Sequence, residues 1–135
     1  MNELIKIEII TPLQLLKSTQ TKMSVLPGSE GELGIMSRHT PLMTLLKRGI
    51  IKLFNEDSSI SDQIAIDGGV ADVSEEGITV LSERAEILGS NSSNIQIIEE
   101  KISDLNLKLK KPEFNEDQTL KNEIDFLSFV LEKSN

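Results

Sequence analysis

Apolar residues in the first ninety or so positions come in short, branched runs, each closed by a cluster of turn formers. KIEII (6–10) alternates with polar positions and stops at Thr11-Pro12, and KMSVL (22–26) is cut by Pro27-Gly28. Leu42 to Leu46 follows Pro41, IIKLF (50–54) follows Gly49, and SDQIAI (61–66) ends at Asp67-Gly68-Gly69. VADV (70–73) ends at Ser74 to Gly77, ITVL (78–81) comes next, and RAEIL (84–88) is the last run. Runs of this length, spaced by turns about every ten residues, predict a sandwich or barrel of antiparallel strands. Asp67-Gly68-Gly69 and Glu76-Gly77 read as hairpin turns, because glycine reaches positive φ without a Cβ penalty. Leu42 to Lys47 and Pro12 to Leu16 are too short for their period to separate a strand from a helical turn.

Beyond Gly89 the period changes. SNSSN (90–94) is a linker rich in helix-capping residues, and Ser93 or Asn94 is the expected N-cap. Ile95, Ile98, Ile102, Leu105 and Leu109 then recur at spacings of 3, 4, 3 and 4, the apolar stripe of a helix. Glu99 and Glu100 fall in its early turns, Lys108, Lys110 and Lys111 load its other end, and Pro112 stops it. A second helix is predicted from about Asp117 to Glu132, with Leu120, Ile124, Leu127 and Leu131 as its stripe, widened by Phe126, Phe129 and Val130. PEFNED joins the two into an antiparallel hairpin. Helices of about four turns are marginal alone in water, so they need each other, the β domain or a partner. The predicted organisation is therefore a mainly β sandwich over residues 1–88 followed by a helical hairpin over 89–135.

Composition narrows the chemistry. Four Phe with no Tyr and no Trp mean that the core must be built from Ile, Leu and Val. Twenty-two acidic against fourteen basic residues give a net charge of -8, which argues against a nucleic-acid partner. No Cys and a single His leave no disulfide, no thiolate chemistry and no good zinc site, so neither a metal nor a cofactor is expected. Acidic residues at positions 3 and 8 interrupt the N-terminal apolar run, which does not read as a signal peptide. No stretch approaches the roughly 20 apolar residues that span a bilayer. A soluble cytoplasmic protein is expected, free or seated on a membrane complex.

VLPGSEGELGIMSRHTP (25–41) concentrates the candidate chemistry. Glu30, Glu32, Arg38 and His39 could supply an acid, a base and an anion clamp, but the glycines put them on a loop with nothing to fix their separation. No nucleophile elbow and no HExxH accompanies them, so no catalytic residue is assigned. GSEGELG lacks the lysine and hydroxyl of a phosphate-binding loop, and its two glutamates would repel phosphate. It reads as a structured loop turned by Pro27-Gly28, with a polar tip open to solvent or pressed on a partner.

The stretch VLPGSEGELGIMSRHTPLMTLLKRGIIKL resembles, nearly residue for residue, the signature region of the epsilon subunit of the bacterial F-type ATP synthase, in which GELGI is followed in register by His-x-Pro-Leu. ITP (10–12), IAIDGGVADV (64–73) and ITVLSERAE (78–86) match in order, so the likeness covers residues 4–87. It implies a β-sandwich of about ten strands with a two-helix domain, no ATP chemistry of its own and no cofactor. It implies a place in the central stalk, with the gamma subunit on one sandwich face and the polar loops of the membrane c-ring at one end. Ring rotation driven by proton flow would thereby reach the gamma shaft. By motif position Glu32 and His39, with Glu30 and Arg38 in the neighbouring turns, are the implied ring contacts. Such a subunit is peripheral on the cytoplasmic side of the bacterial inner membrane.

In many members of that family the hairpin can extend toward the alpha and beta subunits and inhibit hydrolysis, and some bind ATP through a motif like [IL]DxxRA. SNSSNIQII here has neither Asp nor Arg, which speaks against ATP binding there. Between Glu123 and Lys133 one basic residue faces three acidic ones, a poor match for gripping acidic surfaces. The expectation is a hairpin docked on the sandwich, with weak or absent inhibition. The reading from another class is a stand-alone β-sandwich binding module with a helical docking tail; a tight one-to-one complex with a gamma-type coiled coil separates the two.

Overall fold

The computed structural model describes residues 3–89 and 92–134, which divide into two compact units, Met1–Ile87 and Leu88–Asn135. The first unit holds eight strands: β1 (Ile5–Thr11), β2 (Gln14–Thr21), β3 (Met23–Gly28), β4 (Gly31–Met36), β5 (Leu42–Phe54), β6 (Ile60–Ser74), β7 (Gly77–Leu81) and β8 (Ala85–Ile87). They form one hydrogen-bonded sheet in the order β2-β1-β7-β6-β5-β3-β4, with β8 also paired to β6. Neither ambiguous stretch is helical. Pro12-Leu13 is the turn between β1 and β2, and Leu42 to Lys47 opens β5.

Laid flat, β1 and β4 would stand five steps apart in this order, about 24 Å at the ordinary strand spacing. Yet Ile7 and Ile9 of β1 share one buried cluster with Ile35 of β4. Glu3, just before β1, also accepts hydrogen bonds from Ser37 (3.1 Å) and Arg38 (2.6 Å), just after β4. The sheet is therefore folded over on itself into a sandwich, and the long strands β5 and β6, of 13 and 15 residues, run through the fold. The core is Ile, Leu, Val and Ala only, as the composition requires. Each fully buried Ile or Leu contributes about 1.5–3 kcal/mol.

The resemblance implies about ten strands and the structure has eight: the eight apolar runs reduce to six because two presumed strand pairs are single strands, and β2 and β4 make up the number. Residues 42–46 and 50–54 both lie in β5, and residues 61–66 and 70–73 both lie in β6. Asp67-Gly68-Gly69 is not a hairpin turn. Gly68 (φ 75°) and Gly69 (φ 140°) bend β6 internally, while Leu46 stays paired with Gly69 and Arg48 with Asp67. Glu75-Glu76 does form a tight turn, since Ser74 pairs with Gly77. GSEGELG is likewise a strand pair where a loop was expected. Gly28 pairs with Gly31, so the chain turns at Ser29-Glu30, two residues after Pro27-Gly28. One pair, β1 with β7, is parallel, although an all-antiparallel sheet was expected. Ser24 of β3 is fully buried, and its hydroxyl lacks a hydrogen-bond partner among the described residues.

The second unit is a pair of helices, α1 (Ser92–Leu109) and α2 (Gln118–Ser134). The α1 stripe is as predicted: Ile98 is buried and Ile95, Ile102, Leu105 and Leu109 are partly so. Its start is earlier than expected, which places Ser93 and Asn94 within the first turn, and residue 91 lies outside the described residues. Glu99 and Glu100 consequently sit beyond the first turn, where the helix dipole has largely faded. Asp117 caps α2, its carboxylate accepting from the Leu120 N–H at 3.1 Å. The buried residues of α2 are Leu120, Phe126, Leu127 and Val130, with Ile124 and Leu131 only half-buried, so the buried face is rotated toward Phe126 and Val130. Between the helices, the Lys108 ammonium lies 4.9 Å from the centre of the Phe114 ring.

Candidate interaction surfaces

The four candidate residues fall at the two ends of β4. Its six residues separate those ends by about 17 Å. Glu30 is at the β3–β4 turn and Glu32 on the first residues of β4, both exposed. They line a shallow cleft with Leu33 and with Met43, Thr44 and Leu45 of β5; the Ser29 N–H donates to the Leu45 carbonyl at 3.0 Å and holds the two strands together there. Neither glutamate makes an ion pair with a described residue, so this tip offers two free carboxylates beside the exposed Met43 and Leu45.

Arg38 and His39 line a different cleft, shared with Lys6, Pro41 and the Glu75-Glu76 turn. Arg38 takes φ 65°, a left-handed conformation unusual for a side-chain-bearing residue, and its guanidinium is committed to Glu3. The His39 Nδ1 lies 2.8 Å from the Thr40 carbonyl, to which it donates as the Nδ1–H tautomer, and the His39 N–H donates to the Met36 carbonyl. These contacts shape a corner. They place no nucleophile or second base against the imidazole.

A third surface lies on a face of the sheet, and none of its residues was singled out in the sequence. Leu15 pairs with Ile10, Ile10 with Leu81, Leu81 with Val70 and Val70 with Leu45. Directly paired residues share a face, so these five form one apolar row across β2, β1, β7, β6 and β5. The adjacent row, Ile9, Val80 and Ala71, is fully buried, which fixes the first row as outward-facing. Leu15, Leu81 and Leu45 remain 52%, 51% and 64% exposed. Single exposed leucines are ordinary, but a continuous row across five strands is the pattern of a contact face. Each member sat in an apolar run visible in the sequence; their alignment is a product of register, above all of the parallel β1–β7 pairing.

Alongside the row, Asp67 is held by two guanidinium groups: Arg48 Nε donates at 2.8 Å and Arg84 Nη1 at 3.2 Å. Nothing in the sequence joins these three, because a supposed hairpin turn at Asp67 would have pointed its carboxylate into water.

A folded-over β sheet followed by a two-helix region defines a β-sandwich protein with a helical C-terminal unit. The family model described as ATP synthase, Delta/Epsilon chain, beta-sandwich domain matches residues 4–88. The ATP synthase epsilon chain of Campylobacter lari is 44% identical over 94 residues, 70% of this chain and 72% of that relative. The epsilon chain of Paramagnetospirillum magneticum is 39% identical over 85 residues, 63% of each chain. Among solved structures, a chain of the Euglena gracilis mitochondrial ATP synthase (OSCP/F1/c-ring) superposes with a TM-score of 0.59 at 19% identity, covering 96% of this chain and 78% of that one. A chain of the central stalk/c-ring structure of the Tetrahymena thermophila mitochondrial enzyme gives 0.53 at 10% identity, covering 96% of both. The chain belongs to the delta/epsilon family of ATP synthase subunits, on the side of the bacterial F-type epsilon chains, which are non-catalytic central-stalk subunits. Among the described residues, no helix is long and apolar enough to cross a membrane.

Proposed function

We propose that the outer apolar row is the face on which this subunit holds the gamma shaft, and that Glu30, Glu32, Arg38 and His39 meet the polar loops of the c-ring. The row carries the first part of the reading: three leucines half or more exposed, in register across five strands. Covering them recovers on the order of 1–2 kcal/mol each, and a charge placed among them would be desolvated without a partner. Leu45→Glu and Leu81→Glu should each weaken the one-to-one complex with gamma by about a hundredfold. Wild-type affinity in both variants sinks this assignment.

The ring contact rests on motif position and on the two free carboxylates at the tip, and it requires a partner broad enough to reach both ends of β4. Glu32→Ala and His39→Ala should loosen coupling or ring assembly while leaving ATP hydrolysis by the detached catalytic head unchanged. Lost hydrolysis in the detached head would favour an enzymatic role. The subunit then works on the cytoplasmic side of the bacterial inner membrane, passing the rotation of a proton-driven ring to gamma. The hairpin adds little inhibition, given its acidic α2; removing residues 90–135 should leave the complex's ATPase rate nearly unchanged, and a several-fold rise rules that out.

A further inference from the structure

The interactions around Asp67 follow the apolar row from strand to strand. Arg48, whose Nε binds the carboxylate, lies on β5 three residues beyond Leu45. Asp67 itself lies on β6 three residues before Val70, on the other side of the Gly68-Gly69 bend. Its backbone N–H donates to the Arg84 carbonyl at 3.0 Å, and that carbonyl also accepts from the Ser82 hydroxyl at 3.0 Å. Ser82, the residue after Leu81, donates its N–H to the Ile10 carbonyl at 3.0 Å. Four of the five row residues are thus linked by one polar network running beside them, and the Asp67 carboxylate joins its two arginines.

The bend makes such a network necessary. Two successive positive-φ glycines interrupt the regular strand just before Val70, and the backbone there would otherwise choose among several close conformations. Asp67 holds it from both sides, through its side chain to β5 and β7's following link, and through its main chain to that link again. The carboxylate is largely enclosed, so the paired charges are less screened than on an open surface.

We infer that Asp67 is a positioning residue for the partner-binding face: by joining Arg48 to Arg84 it aligns Leu45, Val70 and Leu81 for the gamma shaft. This rests on the assignment of that face to gamma. The test uses the full chain and purified gamma, with affinity and thermal stability measured on the same samples. Asp67→Asn keeps the side-chain shape and the backbone N–H but removes the charge that holds both guanidinium groups. Its affinity should fall about tenfold, the scale of a broken local network. Ile51→Val, in the buried core away from the row, supplies a destabilised control and should bind like wild type. Arg48→Gln, which breaks one arm only, should give a smaller loss in the same direction and serves if Asp67→Asn does not fold. Asp67→Asn or Arg48→Gln with wild-type affinity overturns the proposal, as does an equal loss in Ile51→Val, which would make the effect one of stability alone. Leu81→Glu separates the two ideas: if it binds gamma normally the face is wrong, and if it fails while Asp67→Asn binds normally the face stands and only the role of Asp67 falls.

Discussion

Replacing Gly69 with alanine should destabilise the sheet far more than the same change one residue earlier. Gly69 has φ 140°, and a Cβ there would stand 2.1 Å from the Leu81 carbonyl oxygen and 3.2 Å from the Ser82 Cα. A carbon and a carbonyl oxygen ordinarily approach no closer than about 3.3 Å, so the end of β7 would have to retreat by roughly 1 Å. It has little freedom to do so, because Leu81 is paired on both sides and the Ser82 N–H is bonded to Ile10. The backbone strain costs about 1–3 kcal/mol and the crowding about 1–3 kcal/mol more. A loss near 4 kcal/mol would take much of the roughly 5–15 kcal/mol that holds an ordinary domain together. Gly68, at φ 75°, meets nothing closer than the Leu46 carbonyl oxygen at 3.4 Å. Its alanine variant therefore bears only the left-handed cost of about 1–2 kcal/mol. Native-state hydrogen exchange at strand amides reports the sheet unit separately from the helices and gives both values. Equal losses at the two positions, or a loss at Gly69 under about 0.5 kcal/mol, would refute the reasoning.

Ser24→Ala removes a buried hydroxyl that has no partner among the described residues, so it should leave stability unchanged or raise it by up to about 1 kcal/mol; a clear loss in a thermal melt would reveal a hydrogen bond at that site. Asp117→Ala deletes the α2 cap and should cost the hairpin about 0.5–2 kcal/mol, read as faster exchange at the Leu120 amide. The Ser59 hydroxyl, and after it the Ser59 N–H, donate to Asp57 and hold its carboxyl below the ordinary 3.8. A lowered folded value means that this loop's stabilisation is present above the unfolded pKa and lost as pH falls through the folded one. Ser59→Ala should accordingly raise the Asp57 pKa in an NMR titration, and an unmoved curve contradicts the assigned cause.

How much was legible from the chain alone depended on the range of the interaction. The α1 stripe, the end of that helix before Pro112 and the start of α2 near Asp117 were readable because they rest on neighbours three or four residues apart. The apolar runs located every strand except β2, whose start was left open between strand and helical turn, and β4, where two glycines in GELG masked the pairing with β3. Glu30, Glu32, Arg38 and His39 were visible as a cluster in the sequence; the intervening strand sends them to opposite ends. What escaped was the meaning of glycine. Gly68-Gly69 has the local signature of a hairpin turn, and only the unbroken pairing of β5 with β6 converts it into a bend within one strand.

Local pattern and motif sufficed for an aliphatic sandwich core, a helical hairpin after Gly89, and membership of the epsilon-chain family through GELGI and its following His-x-Pro-Leu. Tertiary structure alone decided which strands are neighbours, and hence that Leu15, Ile10, Leu81, Val70 and Leu45 form one row beside Asp67 and its two arginines. The physical reason is that turning a side chain inward or outward is a property of local period, whereas register is chosen by the whole sheet as it folds over to bury Ile7, Ile9 and Ile35 together.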